Sequence, residues 1–185
     1  PRMDYYSADG HSMGRALLRT PVEFSRISSR FNLKRKHPVR NRIRAHKGVD
    51  YAASRGTPIK ATGDGKIVHR GRKGGYGSTV IIQHGSSYST LYAHMSNYAR
   101  GIRTGSRVKQ GQVIGYVGSS GLATGPHLHY EFRLNGSVRN PLTVKLPDAQ
   151  PLSKKFLADF KQQANRLMVS LNLLNQTSFA LASNP

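Results

Sequence analysis

The 185-residue chain contains no cysteine, which excludes disulfides, thiolate nucleophiles and cysteine-based metal sites. Any bound metal must be held by His, Asp, Glu or backbone groups. The absence of cysteine fits an oxidising compartment and fits many cytosolic proteins equally. Acids are also scarce: 8 Asp and Glu stand against 29 Lys and Arg, for a formal charge of +21. Nine Lys or Arg and no acid lie from Arg26 to Lys47, and no acid occurs from Gly65 to Tyr130. Long apolar runs are missing too; nothing approaches the roughly 18 residues a membrane-spanning helix needs. The opening Pro1-Arg2-Met3-Asp4-Tyr5 has no charged start followed by an apolar stretch, and its lack of an initiator Met is expected of a processed or trimmed chain.

The length suits one domain of ordinary size, or one with an extra element at each end. Nineteen Gly and nine Pro lie among apolar segments, as in a turn-rich globular protein. The basic excess attracts polyanions, whether nucleic acid, anionic lipid head groups or an anionic wall polymer. Nucleic acid is the least favoured of these, because no basic helix or nucleic-acid motif occurs.

Three regions differ in pattern. Residues 1–36 form a lead-in without sustained period, read as a short strand or two with connecting turns. Residues 37–146 read as all-β: apolar segments at Thr57–Ala61, Lys66–His69, Thr79–His84, Ser89–His94, Gln112–Val117 and Leu128–Leu134 alternate with Gly-rich turns. A spacing of about ten residues per strand, with Asn135-Gly136 as a hairpin turn, predicts an antiparallel sandwich or barrel. Residues 147–185 comprise a C-terminal α-helix and tail. Phe156, Leu157, Phe160, Ala164, Leu167, Met168, Leu171 and Leu174 recur at helical spacing, with Ser153 as N-cap after Pro151. This face is expected to be covered by packing, and the tail from Asn175 to be poorly ordered.

Chemistry concentrates in five side chains: His46-x-x-x-Asp50, His94, and His127-x-His129. In the strand 127–134, Leu128, Tyr130, Phe132 and Leu134 share one face; His127, His129, Glu131 and Arg133 share the other. The two imidazoles, about 6.6 Å apart along that face, can converge on one small target. His46 and Asp50 would stand about 13 Å apart in an extended strand, so they need a bend, which Gly48 permits. Asp50 is the only acid between Glu23 and Asp64. In Ser89–His94, Leu91 and Ala93 are expected on the core face, and Thr90, Tyr92 and His94 on the other. Imidazole and carboxylate are the usual non-sulfur zinc ligands, and a catalytic zinc keeps three protein ligands and one open position. Five candidates for three places leave two His for proton transfer and oxyanion stabilisation. This reading does not decide between His127 and His129 as the ligand. His11, His37, His69 and His84 are read as solvated or structural.

The strings His46-Lys47-Gly48-Val49-Asp50-Tyr51, Gly56-Thr57-Pro58-Ile59, Gly63-Asp64-Gly65, Tyr76-Gly77, Leu91-Tyr92-Ala93-His94 and Gly121-x-x-x-Gly125-Pro126-His127-Leu128-His129-Tyr130-Glu131 resemble the LytM-type, lysostaphin-like zinc metallopeptidases, over about Phe31 to Leu142. That resemblance implies an antiparallel β-sandwich with an open groove and cleavage of peptide cross-bridges in bacterial peptidoglycan. It implies zinc (Zn2+) held by His46, Asp50 and His129, with His127 as catalytic base and His94 assisting it or stabilising the oxyanion. It gives Glu131 no catalytic role, leaving it structural and paired with Arg133. Gly14-Arg15-Ala16-Leu17-Leu18-Arg19 and Phe24-Ser25-Arg26-Ile27-Ser28-Ser29 are similar to the lead-in of Gram-negative envelope endopeptidases. Those enzymes cut the D-alanyl–diaminopimelate link and work in the periplasm or cell envelope, often behind further N-terminal modules and an anchor. The alternative is a non-catalytic peptidoglycan-binding or amidase-activating module, disfavoured because all five site positions are filled. The basic stretches 26–47 and 70–73 are expected to dock on the anionic envelope.

Overall fold

The computed structural model describes residues 6–10, 16–23, 25–35, 45–147 and 152–182. Tyr5, His11, Gly14, Arg15, Phe24, His37 and Pro151, named above, lie outside the described residues, as does most of the basic stretch between Arg35 and Ala45. Leu17–Leu146 form one compact unit, and Pro1–Ala16 with Pro147–Pro185 form a second.

The larger unit is built from antiparallel strands. They are β1 (Arg26–Ser29), β2 (Val49–Ala52), β3 (Pro58–Lys60), β4 (Gly65–Arg72), β5 (Ser78–His84), β6 (Tyr88–Ala93), β7 (Met95–Tyr98), β8 (Arg107–Val108), β9 (Val113–Val117), β10 (His127–Leu134) and β11 (Ser137–Arg139). One sheet runs β1-β2-β10-β6-β5-β4-β8, with β11 paired to β10; the other runs β3-β9-β7. The lead-in therefore supplies the edge strand β1. Asn135 and Gly136 both take positive φ, 48° and 76°, and Leu134 pairs with Ser137. That is the two-residue hairpin which Asn-Gly favours, because its backbone twist matches that of the strands.

Both sheets contribute to one core. Tyr51, Ile67, Ile82, Tyr92 and Leu128 of the large sheet meet Ile59, Met95, Ile114 and Val117 of the small one. Truncating any of these to Ala costs about 2–5 kcal/mol, through lost burial and an unfilled cavity. The core also takes polar groups, provided they satisfy one another. Thr62 Oγ1 contacts the hydroxyls of Tyr92 at 2.9 Å and Tyr130 at 3.2 Å; Thr90 Oγ1 lies 3.0 Å from the Tyr92 hydroxyl and 2.8 Å from His84 Nε2. His84 Nδ1 donates to the Asp64 carbonyl oxygen at 2.7 Å. His84 is thus a structural histidine, as expected.

This network reverses one expectation. Thr90 and Tyr92 face the core, whereas Leu91 and Ala93 lie opposite Glu131 and His129 and share their face. Simple polar–apolar alternation misassigns β6 because its threonine and tyrosine hydroxyls find partners inside, while both faces of the strand are covered.

In the smaller unit, α1 runs Lys154–Ala182, starting directly after Ser153. It continues past Asn175, the start of the tail expected to be poorly ordered, and no Gly or Pro interrupts residues 154–182. Tyr6 packs edge-on against Phe160, with ring centroids 5.9 Å apart. Leu167, Met168, Leu171 and Leu174, expected to be covered, are exposed. No described helix is long and apolar enough to cross a membrane.

Candidate metal centre

Strand β10 lies between β2 and β6, and its register places His129 opposite Asp50 on one side and Ala93 on the other. Alternation along β10 puts His127, His129 and Glu131 on the face away from the main core, as the sequence predicts. His46 joins from outside β2 through an isolated antiparallel bridge to Asn32. The chain bends at Gly48, and there the glycine is needed for close approach rather than for unusual φ. A Cβ at Gly48 would collide with the Tyr130 carbonyl oxygen and reach within 2.9 Å of the His129 ring. The bend brings His46 Nε2 to 3.0 Å from Asp50 Oδ1, a separation an extended strand could not give.

His94 arrives by a different device. It sits between β6 and β7 with φ of +59°, a left-handed conformation uncommon for a residue with a side chain. The strand alternation is broken there, so its ring joins the site although Thr90 and Tyr92 point into the core. Its ring centroid lies 4.7 Å from that of His127 and 6.0 Å from that of His129. All five sequence-nominated residues line one cleft of about 730 Å³.

The hydrogen bonds fix which ring nitrogens carry protons. A carbonyl oxygen can only accept, so His46 Nδ1, 2.7 Å from the Arg30 carbonyl, must donate. His129 Nε2 donates to Glu131 Oε1 at 3.2 Å. The neutral rings therefore turn bare nitrogens inward. His46 Nε2 and His129 Nδ1 are 3.2 Å apart, and His129 Nδ1 is 2.7 Å from Asp50 Oδ1. With both rings neutral, three lone-pair donors converge, an arrangement that an added proton or a cation relieves. Their ligand atoms all lie within 4.8 Å of one another, and they are the group among the described residues able to hold a metal ion. Two imidazoles and a carboxylate suit zinc, and each imidazole carries the outer hydrogen bond that metal-ligating histidines need. The donor set therefore fits the metal implied by the resemblance.

Charge is arranged to match. Burial would raise the Asp50 pKa, but hydrogen bonds and charge from His129 and His46 outweigh it and hold the carboxyl well below its ordinary range. Burial opposes charge on His129, yet bonds to Asp50 and Glu131 raise its proton affinity above the ordinary value. Protons and metal ions compete for that lone pair. Glu131 is fully buried. Its burial is outweighed by bonds from His129, Tyr76 and Arg133, which bring its pKa down to about 2. Burial and then the neighbouring Glu131 push Tyr76 up to about 12, so its hydroxyl stays protonated.

The remaining two histidines are anchored alike. His127 Nδ1 donates to the Gly125 carbonyl oxygen at 2.9 Å, and His94 Nδ1 to that of Ser120 at 2.7 Å. Each leaves Nε2 as its free basic nitrogen, and that of His127 is 3.9 Å from Asp50 Oδ1. Burial lowers the proton affinity of His94.

Against known families, residues 44–141, more than half of the chain, match the model of peptidase family M23. The chain belongs to peptidase family M23. It is 46% identical over 177 residues to the peptidoglycan DD-endopeptidase ShyC of Vibrio cholerae, covering 96% of this chain and 40% of that protein. A solved zinc-containing peptidase from Vibrio cholerae superposes with TM-score 0.69 at 36% identity, over 78% of this chain and 47% of that one. The catalytic domain of lysostaphin from Staphylococcus simulans gives TM-score 0.56 at 30% identity, over 64% of this chain and 90% of that domain. The chain thus spans well under two thirds of ShyC's length. Its β-core and C-terminal helix agree with the fold expected of M23 members.

Within this M23 site, sequence reasoning undervalued Glu131 and left Tyr76 without a role. Glu131 does pair with Arg133, at 2.5 Å, but it also receives the Tyr76 hydroxyl at 2.6 Å and holds the His129 ring. The signal was available: Glu131 is the first acid after Asp64 and shares the histidine face of β10. The scarcity that singled out Asp50 applies equally to it. Ser29 Oγ, 3.2 Å from His46 Nδ1, left no such trace.

Proposed function

We propose that this chain is a zinc-dependent endopeptidase that hydrolyses peptide cross-links of bacterial peptidoglycan, with the D-alanyl–diaminopimelate bond as target. The supporting observation is the convergence of His46 Nε2, Asp50 Oδ1 and His129 Nδ1 beside two histidines whose Nδ1 atoms are tied to backbone carbonyls. Family membership and the DD-endopeptidase name of ShyC point to the same substrate.

Zinc held by His46, Asp50 and His129 would supply Lewis acidity, polarising a carbonyl oxygen and lowering the pKa of water towards roughly 7. His127 Nε2, free to accept because Nδ1 is committed to Gly125, takes the proton of the attacking water. It returns that proton to the leaving amine, as a general base that becomes a general acid. His94, whose ring centroid lies 4.7 Å from that of His127 and whose protonation burial disfavours, assists that base through its free Nε2. Glu131 holds the Nε2 proton of His129, which keeps Nδ1 bare for the ion.

Work in the periplasm or at the cell envelope follows from the substrate. The exposed Arg70, Arg72 and Lys73 would help the protein dock on the anionic envelope.

Incubating zinc-replete protein with bacterial sacculi tests the proposal. Cross-linked muropeptides should fall while uncross-linked ones and free amines rise. Sacculi whose cross-links are unchanged across a range of salt and pH would contradict it.

A further inference from the structure

The cleft is electrically lopsided. Its two acids are consumed, Asp50 between two histidines and Glu131 by Arg133, Tyr76 and His129. The other charged side chains lining it are Arg35 and Lys47, both exposed and without an acidic partner among the described residues. Arg35 Nη1 lies 3.5 Å from Ser29 Oγ, which in turn is 3.2 Å from His46 Nδ1. The guanidinium is therefore two contacts from a candidate metal ligand.

Strand order assigns the cations to one side. Ser29, Arg35 and Lys47 belong with β1 and β2 at one end of the sheet; Tyr76 and Leu122 lie towards β5, across β10 and β6. That second lip carries no charge: Leu122 is 71% exposed, and its backbone N donates to Gly75 O. Ala45, His46 and Lys47 line the cleft together with Arg35, so described residues from both halves of the basic stretch 26–47 belong to this lip.

We propose that Arg35 and Lys47 form a carboxylate-binding subsite that selects cross-links bearing a free carboxylate beside the scissile nitrogen. This rests on the peptidoglycan reading above and sharpens it. In a D-alanyl–diaminopimelate link, the carbon bearing the scissile nitrogen also carries a free carboxylate. That group lies within one residue of the attacked carbonyl, matching the short path from the candidate metal ligands to Arg35. A glycyl bridge offers no charge there. The planar fork of Arg35 suits a carboxylate pairwise, and Lys47 adds a mobile point charge. The amine-side strand of the cross-link thus runs along the β1–β2 lip, and the carbonyl-side strand along the uncharged lip.

The test uses two synthetic cross-linked peptides, identical except that the diaminopimelate carboxyl beside the scissile nitrogen is free in one and amidated in the other. Zinc-loaded wild-type protein should favour the free acid in kcat/KM by about tenfold or more, as a charged hydrogen bond warrants. The difference should lie in KM. In Arg35→Gln/Lys47→Gln the ratio should fall towards one, with zinc content unchanged. A wild type indifferent to amidation, or a double variant that keeps the preference, overturns the subsite. Titrating both peptides into His127→Ala protein reads the same ratio from affinity without turnover. There, preferential binding of the free acid that is lost with Arg35 and Lys47 supports the subsite even if neither peptide is cleaved, and equal binding overturns it. Absence of cleavage would count against the endopeptidase reading alone.

Discussion

Two polar clusters occupy opposite faces of the same sheet, and their contrast explains what makes one of them a candidate site. On the core face, His84, Thr90, Tyr92, Thr62 and Tyr130 form a closed set in which donors meet acceptors. On the other face, His46, Asp50 and His129 point acceptors at acceptors. Both clusters are largely buried, and both contain a histidine tied to a backbone carbonyl. The first is complete as it stands and contributes stability. The second, with its rings neutral, leaves lone pairs facing one another, and a cation would complete it. A histidine's role is therefore set by what faces its second nitrogen, not by burial.

The sharpest way to break this contrast is to separate metal binding from chemistry within the second cluster. His127→Ala should keep stoichiometric zinc, because His127 is not among the three converging ligands, yet lose about 10²–10⁴-fold in kcat. Elemental analysis alongside muropeptide release would check both halves. If zinc disappears with His127, the assignment of ligand and base is wrong.

A smaller effect is expected one bond further out. Glu131→Gln removes the carboxylate that fixes the His129 tautomer and should weaken zinc affinity about 10–100-fold. Competition with a chelator of known affinity measures it. Unchanged affinity would return Glu131 to a purely structural role with Arg133.

The core cluster should answer in a different currency. Thr90→Val keeps the shape but strips partners from His84 Nε2 and the Tyr92 hydroxyl, costing about 1–3 kcal/mol of unfolding free energy. Zinc affinity should not move. A loss of zinc binding in this variant would mean that the two faces are not independent.

The smallest effect concerns pH. Burial lowers the His84 pKa from 6.5, so the unfolded chain takes up a proton that the folded one refuses. Its contribution to stability is complete above pH 6.5 and declines as pH falls below that value. Denaturant unfolding of His84→Gln between neutral and mildly acid pH should show a shallower decline than the wild type.

Much of the site was legible because β10 follows simple alternation: four apolar residues face one way, and His127, His129 and Glu131 the other. The Asn135-Gly136 hairpin was equally plain, since few dipeptides accept positive φ twice. Strand β6 misled because its core face is built from hydroxyls that satisfy one another, a pairing visible only in three dimensions. The short strands β1, β2 and β7 carry too few residues for a period to register. His94 could be nominated but not aimed, as its left-handed φ breaks the alternation from which its direction was inferred. The choice between His127 and His129 as ligand lay beyond strand geometry. It depends on Gly125 O and Glu131 Oε1, which fix opposite tautomers on two residues that share a face.

One ion shared by three side chains is what the cluster of His46, Asp50 and His129 is proposed to hold. A crystal structure of zinc-loaded protein, with anomalous data collected at the zinc edge, addresses it directly. One peak should lie about 2.0–2.2 Å from His46 Nε2, His129 Nδ1 and an Asp50 carboxylate oxygen, with His127 Nε2 outside bonding distance. Zinc bound through His127 in place of His129, or no peak within reach of all three, would contradict it.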